Sequence, residues 1–412
     1  MTAAEPTPAD RTRTKQTRTD RTRTDRTPAD RTPSHRALVR EPGGVRLRLR
    51  PTQRPAPGEL LVATQVAGLC GTDIQMLRGL RDDPAPVIGH EGIARVIAAG
   101  QGVPAALRRP GTPVVVNPTH RSDLSFLLGH TVDGLLQERT LVPATAVRGG
   151  LVVPLERTPD PVLGALIEPL AAVRYALDLL ATARPRTLVV HGDGTIGQLA
   201  VRAARQRLGA DLRVVLVHHT PAGLAWSTQQ AVPGVELTIG AAPPALPGPI
   251  AVLLATPRDA TLDALAAALR LGSGEPTAEP TGELTVSLFG GLPPGAASPD
   301  LPGVDLAAVR AANCAGQPVP YAFTTARTAD GRPVRLTGQR GVGNHHLAEA
   351  AAELCRRPET HRGLVTHVVD PAEAARIMTG LAAGGGRAVA GRRLVKLAVR
   401  FAPAPPTPLE TS

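Results

Sequence analysis

Leu188-Val189-Val190-His191-Gly192-Asp193-Gly194-Thr195-Ile196-Gly197 reads as a short apolar strand, a glycine turn and the opening of a helix that continues to Leu208. The three glycines have the spacing G-x-G-x-x-G. Gly192 permits the tight turn, Gly194 lets the backbone approach a pyrophosphate, and Gly197 lets the helix pack closely on the strand. The amides of Thr195 and Ile196 then sit at the helix N-terminus, where phosphate charge is favoured. A glycine turn without a ligand is the alternative. Strand, spacing and helix in this order favour a dinucleotide site.

The pattern extends outward from there. Upstream, Pro161 to Ala183 reads as a helix with apolar residues on more than one face, broken by Pro185. Downstream, Leu212–Val217, Ile250–Leu254, Leu284–Phe289 and Val334–Leu336 read as buried strands separated by helical stretches, which argues for a parallel sheet. Before Pro161, short aliphatic runs at Ala37–Val45, Glu59–Val66, Val87–Ala99 and Thr112–Val116 alternate with Pro and Gly, as small strands and turns do. Leu364 to Val399 returns to that texture. A β-rich part therefore encloses an α/β part.

The chain has 412 residues and a formal charge of +11. Four Phe, two Tyr and one Trp leave the cores aliphatic and provide no base-stacking surface, so nucleic acid is an unlikely partner. Three cysteines build neither a disulfide framework nor a four-thiolate zinc site. With no long apolar run and no apolar leader, the expectation is a soluble cytoplasmic protein without a membrane partner. Residues 1–36 carry nine Arg/Lys against five Asp/Glu among Thr and Pro, and are expected to be a disordered basic tail.

The ribose end of the dinucleotide site is ambiguous. The second strand ends Val217-His218-His219-Thr220, and the first carboxylate beyond it is Glu236. No carboxylate there accepts from a ribose 2′-hydroxyl, and two histidines offer weak contact to a 2′-phosphate. The reading leans to NADP over NAD, with His218 and His219 as cofactor residues. Alternatively both are loop residues and NAD is held otherwise.

Four motifs occur together: Gly68-Leu69-Cys70-Gly71-Thr72-Asp73, Gly89-His90-Glu91-Gly92, Glu168-Pro169-Leu170-Ala171 and the glycine turn at 192–197. Over roughly residues 37–400 the chain resembles the zinc-dependent medium-chain dehydrogenase/reductase family of the alcohol dehydrogenase superfamily. Glu168-Pro169-Leu170 makes it most similar to the sorbitol, threonine and cyclitol dehydrogenases. The resemblance implies an α/β fold: a GroES-like β-rich catalytic domain at 37–184, completed by 341–400, and a Rossmann domain, a doubly wound parallel sheet, at 185–340. Residues 401–412 are expected to be a flexible tail. It also implies one catalytic zinc on Cys70, His90 and Glu168, with Glu91 either a ligand or just behind. Sulfur, nitrogen and oxygen donors suit zinc, and a catalytic site keeps one position open. Thr72 matches the hydroxyl that passes on the substrate proton, and Asp73 the carboxylate that orients a ligand histidine. Relatives often continue the relay with a histidine where this chain has Gln75. The four-cysteine lobe that usually follows Asn-Pro is absent after Asn117-Pro118, so no structural zinc is expected. Asn117 and His120 are the first substrate-facing candidates in the segment replacing it.

The activity expected is a zinc- and NAD(P)-dependent oxidoreductase acting on a secondary alcohol of a polyol, sugar or cyclitol, with or without a phosphate, and forming homodimers or tetramers. A zinc-free quinone or enoyl reductase of the same fold and a non-catalytic NAD(P)-binding protein are the alternatives.

Overall fold

The computed structural model describes residues 33–243, 246–271 and 283–401. The N-terminal tail expected at 1–36 lies outside these up to residue 32, and so does the expected C-terminal tail from 402 onward. Residues 34–36 belong to the first strand, not to the tail.

Strands β1 (Ser34–Glu41) and β2 (Gly44–Pro51) form an antiparallel hairpin. The chain continues through β3 (Leu60–Gly68), helix α1 (Gly71–Leu77), β4 (Glu91–Ala99), β5 (Pro113–Val116), β6 (Arg139–Val142), helix α2 (Ala144–Arg148) and β7 (Val152–Pro154). Helix α3 (Ile167–Ala181) follows, and almost every residue in it is buried. Its all-round apolar sequence explains this, because it lies between the parallel sheet's helices and the first part's strands.

The α/β part runs β8 (Thr187–His191), α4 (Thr195–Leu208), β9 (Arg213–His218), α5 (Pro221–Gln230), β10 (Val235–Ile239), β11 (Ile250–Leu254), α6 (Thr261–Leu269), β12 (Leu284–Leu288), α7 (Leu306–Ala311), β13 (Asn313–Cys314), β14 (Thr324–Arg327) and β15 (Pro333–Arg340). The sheet order is β10-β9-β8-β11-β12-β15-β13, all parallel, with β14 antiparallel on β15. The central strands β8, β11 and β12 are buried along their whole length because helices cover both faces.

Helices α8 (Asn344–Arg356) and α9 (Pro358–Arg362) lead back to the first part through β16 (Val365–Val369), α10 (Pro371–Ala382), a two-rung hairpin of β17 (Ala388–Val389) and β18 (Arg392–Arg393), and β19 (Lys396–Arg400). The second sheet has the order β16-β19-β3-β4-β5-β7, with β6 also paired to β3. Its strand β19 lies between β16 and β3, so the last described segment is internal to a sheet begun three hundred residues earlier. No described helix is long and apolar enough to cross a membrane.

Candidate active site

Strand β3 ends at Gly68 and the chain turns through Leu69 and Cys70 into α1. Asp73, fully buried in the first turn of that helix, determines the local geometry. Its Oδ2 accepts the Cys70 N–H at 2.8 Å and its Oδ1 accepts the Gly89 N–H at 3.3 Å. The same Oδ1 lies 3.9 Å from His90 Nδ1, which is buried and has no closer partner. One carboxylate thereby ties the Cys70 turn to the Gly89-His90 turn. Burial raises the Asp73 pKa, and the charge of His90 opposes that rise.

Cys70 Sγ, a His90 ring nitrogen and a Glu91 carboxylate oxygen all lie within 4.8 Å of one another, the one group of at least three such donors among the described residues. Burial disfavours charge on His90, but its hydrogen bond to Cys70 and the charges of Cys70, Asp73 and Glu168 outweigh this and raise its pKa well above the ordinary value. Glu168, the second residue of α3, is buried within range of the charges of His90, Glu91, Lys396 and Asp73 without joining the tight trio. Burial pushes its carboxyl upward, and the nearby carboxylates Glu91 and Asp73 add to the shift. Thr72 Oγ1 is buried and unpartnered.

Two participants had no motif to announce them. Lys396, the first residue of β19 and 1% exposed, forms an ion pair with Glu91 and donates to the Leu69 carbonyl at 3.2 Å. Burial pulls its pKa down, but Glu91 and Cys70 more than compensate. His130 lies beside His90, with ring centroids 5.2 Å apart and its Nδ1 3.2 Å from Asp83 Oδ2. Burial, helped by the charge of His90, lowers its pKa to about 4. The Gly129-His130 step packs directly on Gly89-His90: a Cβ on Gly129 would stand 2.9 Å from the Gly89 nitrogen.

Asn117 and His120 are occupied elsewhere. Asn117 Nδ2 donates to the Val342 carbonyl at 2.8 Å and to Asn344 Oδ1 at 2.9 Å. His120 Nδ1 accepts the N–H groups of Asp123 at 2.8 Å and Ser122 at 3.2 Å. Both side chains hold the loop that replaces the cysteine lobe.

At the glycine turn, Gly192 has φ +104°, and a Cβ there would collide with the Ala255 carbonyl. A Cβ on Gly197 would collide with the Gly192 carbonyl, so close helix–strand packing requires glycine at that position. Gly194 caps α4, and the nearest atom a Cβ would meet there is Arg387 Nη1 at 3.6 Å. The space before the helix N-terminus is therefore open and faces a guanidinium. Thr195 Oγ1 donates to the Val395 carbonyl at 2.7 Å, and Ile196 is half-buried beside it. A cleft lined by Leu69, Gly71, Ile74, Thr195, Arg387 and Val395 joins this helix end to the start of α1, next to Cys70. Gly71, next to Cys70, and Thr195, next to the glycine turn, both line it.

His218 does not face a ribose. It is buried, its Nδ1 lies 2.9 Å from the Thr238 carbonyl and its Nε2 2.8 Å from Ser227 Oγ, so both ring nitrogens have partners inside the α5–β10 corner. His219 is exposed. Asp193, between the first two glycines, pairs with Arg393 at 2.9 Å.

The donor chemistry suits zinc, and the glycine cradle suits a dinucleotide phosphate. Comparison with known proteins agrees in kind. Residues 56–151 match the alcohol dehydrogenase GroES-like domain. A glucose 1-dehydrogenase of Thermoproteus tenax is 30% identical over 189 residues, covering 40% of this chain and 52% of that protein. The sorbitol dehydrogenase of Gallus gallus is 27% identical over 250 residues, covering 50% and 65%. The chain thus spans about half the length of the glucose dehydrogenase it matches. Galactitol-1-phosphate dehydrogenase from Escherichia coli superposes with a TM-score of 0.62 at 17% identity, over 89% of this chain and 100% of that one. A thermostable alcohol dehydrogenase from Pyrobaculum aerophilum gives 0.61 at 19%, over 89% and 100%. Residues 56–151 are thus similar to an alcohol dehydrogenase GroES-like domain, and the chain shares its mixed α/β fold with medium-chain alcohol dehydrogenases along most of its length.

Proposed function

We propose that the protein is a zinc-dependent dehydrogenase that transfers hydride between a secondary alcohol of the polyol, sugar or cyclitol class and NAD(P). The observation that carries this reading is the shared cleft. Gly71, adjacent to Cys70, and Thr195, at the mouth of the glycine turn, line the same space. When bound, the metal supplies Lewis acidity toward a substrate hydroxyl and the dinucleotide supplies the hydride acceptor.

The chain's own residues have separable tasks. Cys70 and His90 would hold the metal together with one carboxylate. Glu91 is within reach but shares its charge with Lys396, whereas Glu168 is the carboxyl whose ionisation burial has suppressed and a neighbouring cation would restore. Asp73 keeps the Cys70 and His90 turns in register. Thr72 Oγ1, with no internal partner, would accept a hydrogen bond from the substrate hydroxyl and relay its proton to water by giving up its own. The amides of α4 and the guanidinium of Arg387 would receive the pyrophosphate.

One observation favours a second reading, a metal-free reductase: the ammonium of Lys396 already balances Glu91 inside the donor group. Metal analysis of the purified protein, combined with a panel of polyols, sugars and cyclitols offered with NAD and NADP, separates the two. About one zinc per chain with turnover of a secondary alcohol supports the dehydrogenase. Turnover of a quinone or enoyl substrate without metal supports the reductase.

A further inference from the structure

Hairpin β17–β18 turns through Ala390 and Gly391, with φ of +48° and +73°, a two-residue connection that fixes Ala388 opposite Arg393. This register directs Arg393 onto the glycine turn. Its Nη2 lies 2.9 Å from Asp193 Oδ2 and 3.4 Å from the Asp193 carbonyl. Its Nη1 lies 2.8 Å from the point where Gly223 would carry a Cβ. Gly223 is in the first turn of α5, directly beyond the end of β9. That corner is where a doubly wound sheet places the adenine ribose. The Nε of Arg393 is buried without an acceptor, and its side chain is 20% exposed.

A ribose with a free 2′-hydroxyl calls for a carboxylate acceptor at this corner, and a 2′-phosphate calls for a guanidinium. The carboxylates nearby are committed. Asp193 faces Arg393, and Glu236 pairs with Arg213 at 2.8 Å. His218 is turned inward, as described. Asp193 engages Nη2 of Arg393, and the missing side chain at 223 is what lets the Asp193 carboxylate and Arg393 Nη1 share this corner, since a Cβ there would collide with Asp193 Oδ2 and lie 2.8 Å from Nη1.

We infer that Arg393 is the residue that reads the adenosine 2′-phosphate, so that the site selects NADP through the C-terminal hairpin instead of through the end of the second strand. Asp193 is its positioning partner, holding the guanidinium over the glycine turn. This assignment rests on the dehydrogenase reading above.

The test is equilibrium binding of NADPH and NADH to the full-length protein, followed by nicotinamide fluorescence. The wild type should bind NADPH at least about tenfold more tightly, the scale of one charge-assisted contact. Arg393→Gln should weaken NADPH by about tenfold or more and leave NADH within about twofold. Arg393→Lys, which keeps the charge, should fall between, and unchanged thermal melting of both variants shows that the fold survives. Equal weakening of both nucleotides by Arg393→Gln overturns the assignment. So does a wild type that prefers NADH and loses it in Asp193→Asn, since Asp193 would then be a ribose acceptor. Binding of both nucleotides without preference overturns Arg393 alone and leaves the dehydrogenase reading standing. Binding of neither overturns both.

Discussion

Lys396 and Glu91 form a buried pair whose two charges depend on each other. Replacing Lys396 with Met should leave a buried carboxylate unpaired and cost about 3–5 kcal/mol in urea unfolding, while the double change Glu91→Gln/Lys396→Met should recover much of that loss. A single variant as stable as the wild type would show that Glu91 is not charged in the folded protein. Cys70→Ser tests the donors differently. Bound zinc should fall from about one per chain to near zero, and kcat/KM should drop by about a thousandfold or more, the scale of losing several kcal/mol of charge stabilisation. His191, buried at the end of β8 with no partner on Nε2, has its pKa lowered by burial to about 4. The unfolded chain takes up that proton near pH 6.5, so the group's contribution is complete above that pH and is lost as pH falls toward 4. Lowering the pH from 8 to 5 should therefore remove about 2 kcal/mol through this residue, and His191→Leu should flatten that part of the stability profile. Much at this scale was legible in advance. Cys70, Asp73 and His90 sit in short motifs whose spacing carries their geometry. Lys396 and His130 reach the site only by tertiary packing, and a lone Lys or Gly-His step gives no local signal. His218 was misread as a ribose contact because only Ser227 and Thr238, brought close by the fold, show which way its ring points.

Among the elements, the strand–turn–helix at 187–208 was readable because each glycine answers a steric demand. Gly197→Val should therefore cost at least about 3 kcal/mol and abolish nucleotide binding, since the new side chain would press on the Gly192 carbonyl. Thermal melting together with NADPH titration checks this; a variant with native melting and binding would mean that α4 can tilt away from β8. Helix α3 was equally readable, because an apolar sequence on all sides leaves full burial as the stable arrangement. Hairpin β17–β18 was not readable: its turn places Ala390 at a left-handed φ that composition does not suggest for alanine. The segment after Asn117-Pro118 was recognisable as a replacement for a missing lobe. Asn117 and His120, however, close the loop on itself and on Val342 and Asn344, and it is His130 at its far end that lies beside His90.

Across the whole chain, the alternation of strands and helices announced the parallel sheet, and the return of short strands after residue 364 announced that the first part is completed late. The sequence does not show that β19 enters between β16 and β3, because register between distant strands is decided by side-chain packing after collapse. Ending the chain after Gly384 should remove the strand that joins β16 to β3 and abolish cooperative unfolding; a soluble truncated protein with a sharp melting transition would contradict the topology.

Four residues within the five-residue stretch 393–397 contact both halves of the candidate site. Arg393 meets Asp193, the Val395 carbonyl receives Thr195, Lys396 holds Glu91, and the Leu397 carbonyl receives the Leu69 amide beside Cys70. The separation between Cys70 and the glycine turn is thus gauged by covalent bond lengths along a single peptide. Lengthening or shortening that peptide by one residue would shift one anchor relative to the other, and only the hairpin's outer tip lies outside this constraint.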